Sequence, residues 1–136
     1  MRTTVIGGEE RKIHASAYAT ITYERTFGVS HKLHDDVNAM MSMRTSMKIM
    51  MMLPIDALLR LEYVFERDAM RGLIFDSYDA WVDNFPTEAL DASVMADTSK
   101  GWVTTLFHEV VATFFPRFST ENVDAEAAGV AKGAAE

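Results

Sequence analysis

The sequence predicts a mainly α-helical protein with a short N-terminal β-hairpin, a compact bundle of about four to five helices, and a disordered C-terminal tail. Three observations carry that expectation. Gly7-Gly8 separates two short strand-like runs at the start of the chain. After Gly28, apolar residues recur every three or four positions as far as residue 115. From Ser119 onward the chain is Ala, Gly and acids with no apolar residue larger than Val, which leaves nothing to pack.

Taken in order, residues 3–6 are rich in β-branched side chains, and residues 11–15 alternate so that Ile13 faces one way and Lys12 and His14 the other. This places a hairpin at about 3–15. Ser16 is positioned to cap a helix, and Gly28 to end it with a positive φ that side chains with a Cβ avoid. Between them, Thr20, Ile21, Thr22 and Tyr23 favour strand by propensity. The framing residues and a length of three turns favour helix, so residues 19–25 are expected to be helical.

A second helix is expected over 30–52, with Ser30 as N-cap, Asp35 and Asp36 in the first turn, and Leu33, Val37, Met40, Met43, Met47 and Met50 along one stripe. Pro54 suits the first position of a third helix, which Gly72 ends. In it Asp56 and Arg60 form an acid-first i,i+4 pair, and Leu58, Leu61 and Phe65 an apolar stripe. Ser77 caps a short helix through Trp81 and Phe85, broken at Pro86. A final helix is expected from about residue 93 to 115, with a possible break at Gly101 and with Trp102, Leu106, Val110 and Phe114 on one face.

A chain of 136 residues with 49% hydrophobic content suggests one domain, here residues 1–118, with residues 119–136 as its tail. A domain of this size buries about 70% of its unfolded surface. There is no cysteine, which excludes disulfides and thiolate chemistry and points to a reducing compartment. The longest apolar run, residues 49–53, stops at Pro54 and is too short to span a bilayer, and no secretory signal pattern is visible. A cytoplasmic protein is expected. Residues 1–71 hold ten Lys/Arg against nine Asp/Glu, whereas residues 72–136 hold three against eleven. An acidic half repels phosphate backbones and anionic lipid, so neither nucleic acid nor membrane is an expected partner.

No catalytic constellation stands out. There is no nucleophile elbow, no Ser–His–Asp order and no phosphate-binding loop after a strand. His31 and His34, with His108 far along the chain, lack the Glu-x-x-His pairing of a bundle metal site. Asp76, Asp79 and Asp83 are spaced three and four apart, the pattern of a solvated helix face. No enzyme activity, metal or cofactor is expected.

Seven of the ten methionines fall between positions 40 and 52. A stripe at helical spacing is ordinarily core. Met also adapts to varied apolar partners, so Met40, Met43, Met47, Met50 and Met51 are candidates for partner binding. Phe114 and Phe115, before Pro116, either cap the core or form an aromatic patch, and are candidates with them.

The order of parts resembles the tail assembly chaperones of long-tailed bacteriophages. Four features carry the likeness: the hairpin around Ile6-Gly7-Gly8-Glu9; the helix ending Tyr23-Glu24-Arg25-Thr26-Phe27-Gly28; the helix with Tyr63 followed by Phe75-Asp76-Ser77-Tyr78-Asp79-Ala80-Trp81-Val82-Asp83; and the aromatic end of the last helix before an acidic Ala/Gly-rich tail. The methionine cluster belongs to no pattern of that family. The resemblance implies a non-catalytic protein that binds the tape-measure protein, keeps its helical segments soluble, and helps recruit tail-tube subunits in the host cytoplasm. It also implies a longer form made by a ribosomal frameshift near the end of the reading frame, here around Ala131-Lys132-Gly133-Ala134. Two other readings stay open: a small helical adaptor or regulator acting through a Met-rich dimer or partner interface, and, fitting least, a metal-dependent helical enzyme.

Overall fold

Two strands open the chain, β1 (Arg2–Ile6) and β2 (Glu9–Ile13), paired antiparallel with Arg2 opposite Ile13 and Ile6 opposite Glu9. Gly7 and Gly8 turn the hairpin with φ of +59° and +81°, the positive pair that a tight two-residue turn requires. The inward face carries Thr4, Ile6 and Ile13 into the interior, while Lys12 stays in solvent as its parity dictates. The coordinates are a computed structural model that describes residues 1–28, 32–42, 55–91, 94 and 101–116.

Helix α1 (Ala17–Phe27) follows at once. The Ser16 hydroxyl accepts from the Tyr18 amide at 3.2 Å, and Gly28 ends the helix at φ +92° with its amide donating to the Glu24 carbonyl. Residues 19–25 are therefore helical despite their β-branched content, because the two ends define the segment and Ala19, Thr22 and Tyr23 bury one face. Helix α2 (Leu33–Ser42) buries Leu33, Val37 and Met40 at helical spacing. Ser30, Pro54 and the expected continuation through 43–52 lie outside the described residues, as does the tail at 119–136.

Helix α3 (Ile55–Ala69) is the centre of the molecule. Ten of its fifteen residues are buried, and it touches β2, α1, α2 and both later helices. The chain leaves it through Gly72 (φ +91°) and returns along it. The Tyr63 hydroxyl donates to the Asp76 carbonyl at 2.6 Å and fixes that return. Ser77 then caps α4 (Tyr78–Asp83) by accepting from Ala80. This helix ends two residues before Phe85, shorter than its apolar spacing suggests. Pro86 not only breaks it but opens a 3-10 turn (Thr87–Leu90) that the sequence pattern did not signal. Helix α5 (Trp102–Phe114) starts after an extended Gly101 (φ −68°, ψ 151°), the position at which the sequence allows a break, and residues 95–100 before it lie outside the described residues.

One hydrophobic cluster joins these elements, with Tyr23, Tyr63, Phe65 and Trp102 each at most 1% exposed. Burial of each such ring contributes about 2 kcal/mol. Aromatic rings run through it in contact, from Tyr23 and Phe27 across Tyr63, Tyr78 and Trp81 to Phe85 and Trp102, with centroids about 5 Å apart and mostly edge-on. The fold is thus mainly helical with an N-terminal hairpin. Among the described residues no helix is long and apolar enough to cross a membrane.

Candidate partner-binding surface

Buried charge sets where α3 and its neighbours stand. Arg60 of α3 donates to Tyr23 Oη of α1 at 2.9 Å and to the Asp36 carboxylate of α2 at 3.0 Å, while Tyr23 donates a short bond to Asp36. Burial first, then Asp36, pushes the Tyr23 phenol far above its usual value, so it remains a donor. Nearly two turns further along, Glu66 accepts from Arg11 of β2 at 3.2 Å and from the Trp81 indole N–H of α4 at 2.9 Å. Glu62 lies beside it, fully buried, its carboxyl set against that of Glu66. Burial, then the neighbouring Glu66, raises the Glu62 carboxyl well above the usual range, against a partial offset from Arg11. At the other end Glu109 of α5 accepts from Arg2 at 3.0 Å and from the Ala15 amide at 2.7 Å, tying both sides of the hairpin to the last helix.

These anchors hold α4 against α3 but leave a gap beside its outer face. The gap is an open groove of about 690 Å³ lined by Ile55 and Leu59 of α3 and by Tyr78 and Val82 of α4. Asp56, Asp79 and Asp83 rim it. Ile55 is 40% exposed, on a helix otherwise buried on most sides. Burial alone would raise the Asp56 carboxyl, but its hydrogen bond to Arg60 at 3.2 Å and that cation's charge outweigh this and hold it below the usual range. Asp79 and Asp83, one turn apart and exposed, make no ion pair among the described residues. The groove thus has an apolar floor and an anionic rim.

The residues singled out from sequence are distributed differently. Met40 sits in the core at 4% exposure, so its side chain is not available to a partner; the core reading of the stripe holds at this position. Met43, Met47, Met50 and Met51 lie outside the described residues. Phe114 and Phe115 are partly buried against the core, with Phe114 stacked on Phe65 at 6.5 Å and edge-on to His34 at 5.9 Å. Phe114 therefore caps the core. The acidic spacing of Asp76, Asp79 and Asp83 is solvated, as its pattern suggests, but two of the three border the groove. No group of His, Asp and Glu among the described residues is placed to hold a metal ion.

The sequence pattern missed the buried acids and the groove itself. Glu62 and Glu66, at i,i+4 on an amphipathic helix, look like its solvent face. Only the arrival of β2 and α4 on that side buries them. Leu59 and Val82 belong to different helices, and no local spacing joins them. No protein-family model matches the sequence, and no match to it is found among curated proteins or solved structures.

Proposed function

We propose that this chain is a tail assembly chaperone: a non-catalytic protein that binds the helical tape-measure protein, keeps it soluble, and helps recruit tail-tube subunits. The observation that carries the reading is the open apolar groove of Ile55, Leu59, Tyr78 and Val82 beside the buried helix α3. A holdase needs such a surface, because its client's apolar helical faces require a partner before assembly and must leave it afterwards. A shallow groove with a polar rim serves reversible capture better than an enclosed pocket. The resemblance in the order of parts adds support. The segments on which that resemblance rests are a hairpin, a capped first helix, and a long helix followed by an acidic-aromatic helix in the described chain.

The test is to sequence the DNA flanking this reading frame, take a long helix-rich neighbouring frame as the tape-measure candidate, and co-express the two, followed by purification on a tag at this chain's N-terminus. Soluble co-elution, with the tape-measure protein insoluble when expressed alone, is the expected result. A tape-measure protein equally insoluble with and without this chain overturns the reading.

A further inference from the structure

We propose that the α3–α4 groove takes a cationic amphipathic helix, an aliphatic face on the groove floor and Lys or Arg along its flanks. The inference rests on the reading of this chain as a binding protein, but not on the identity of its client. Three features carry it. The floor is aliphatic and aromatic, with Ile55 left 40% exposed, and it presents apolar side chains from two helices. Apolar residues spaced i, i+3, i+4 and i+7 on a partner helix match a floor of this kind. The groove is open to solvent, which suits a partner lying on the surface more than an enclosed small molecule.

The rim is one sign of charge. Asp56 has Arg60 beside it at 3.2 Å. Asp79 and Asp83 have no cation among the described residues, and they fall in the half of the chain that holds eleven acids against three bases. A partner with acidic flanks would bring like charges together on entering the groove. A partner with basic flanks would gain charge-assisted contacts at the rim, while its aliphatic face covers Ile55 and Leu59. Rim charges of this kind set partner choice and association rate more than total affinity, so their signature is salt dependence.

The experiment uses two synthetic helical peptides with the same leucine face, one flanked by Lys and one by Glu. Each is titrated into the full ¹⁵N-labelled chain, with affinity read by calorimetry. The Lys peptide is expected to bind, to shift the amides of Ile55, Leu59 and Val82, and to weaken at least tenfold between 50 and 500 mM salt, about 1.4 kcal/mol. The Glu peptide should bind at least tenfold more weakly. In Asp79→Lys/Asp83→Lys, both exposed positions, the preference should reverse while circular dichroism is unchanged. Equal binding of the two peptides, shifts confined to other surfaces, or an unchanged preference in the double variant overturns the proposal. So does a groove occupied by a second copy of this chain, seen as a dimer that the Lys peptide does not dissociate. Tape-measure capture without peptide preference removes this inference and leaves the chaperone reading. Peptide preference without tape-measure capture does the reverse.

Discussion

Asp36 and Arg60 meet as a fork: Nε donates to Oδ2 and Nη2 donates to Oδ1, both at 3.0 Å. The pair joins α2 to α3, and Tyr23 closes it from α1, so three helices share one polar junction. Planar bidentate pairing is a property of the guanidinium that an ammonium lacks. Arg60→Lys should therefore lower stability by about 1–2 kcal/mol although charge is conserved. Arg60→Ala, which leaves Asp36 buried without its cation and with only the Tyr23 hydroxyl as partner, should cost about 3 kcal/mol. Urea unfolding of both variants measures this, and equal losses in the two would show that the fork geometry contributes nothing.

Glu62 makes stability depend on pH. Its folded carboxyl binds a proton far more tightly than in the unfolded chain, because burial and Glu66 disfavour the charged form. Above the ordinary glutamate range the folded state then holds more protons than the unfolded one, so stability falls as pH rises. Glu62→Gln keeps the shape and removes the titration. Its unfolding free energy in urea should match wild type near pH 4 and exceed it by about 1 kcal/mol or more at pH 8. Parallel pH profiles for the two proteins would refute this account of the site.

The two turn glycines should differ on substitution. A Cβ on Gly7 would lie 2.6 Å from Pro86 Cγ and 2.7 Å from Pro86 Cβ, while one on Gly8 would meet nothing within 4 Å. Both have positive φ, so each alanine incurs about 1 kcal/mol of backbone strain. Only Gly7→Ala must also displace the proline ring that starts the 3-10 turn. It should lose at least about 2 kcal/mol, twice the loss of Gly8→Ala. Melting temperatures of the two variants decide it.

Glu109 is the bond between the chain's first strand and its last helix. Glu109→Ala should strip the Ala15 amide of its acceptor and Arg2 of its counterion, at a loss of about 3 kcal/mol. Glu109→Gln keeps an acceptor for Ala15 and should lose about half as much. Amide exchange at Ala15 separates this from a general loss of packing: it should quicken in the alanine variant well beyond the amides of α3. Uniform quickening throughout the chain would count against the assignment.

Much of the fold follows from local chemistry. Gly7-Gly8 turns the hairpin, Ser16 and Ser77 cap their helices by their own hydroxyls, and Gly28 and Gly72 close theirs at positive φ. At Thr20–Tyr23 these boundaries outweigh strand propensity. What the pattern did not reveal depends on tertiary approach. The indole of Trp81 reaches Glu66 only because α4 folds back along α3, and that same return creates the gap that becomes the groove. The Asp76, Asp79 and Asp83 spacing was visible as a charged face, but the place of Asp79 and Asp83 on a rim depends on Ile55 and Leu59, two dozen residues earlier in the chain.

The run of touching rings has an optical consequence. Trp81 and Trp102 are the only two tryptophans of the chain, and Phe85 lies between them, 5.2 Å from one ring and 5.5 Å from the other. Both indoles are nearly excluded from water, at 6% and 1% exposure, and Trp81 shares its short helix with the groove-lining Tyr78 and Val82. Excitation absorbed by Tyr63 or Tyr78 is therefore delivered to an indole that stands directly behind the groove floor. The protein carries its own fluorophore for events on that face, and a shift in its emission on titration needs no label.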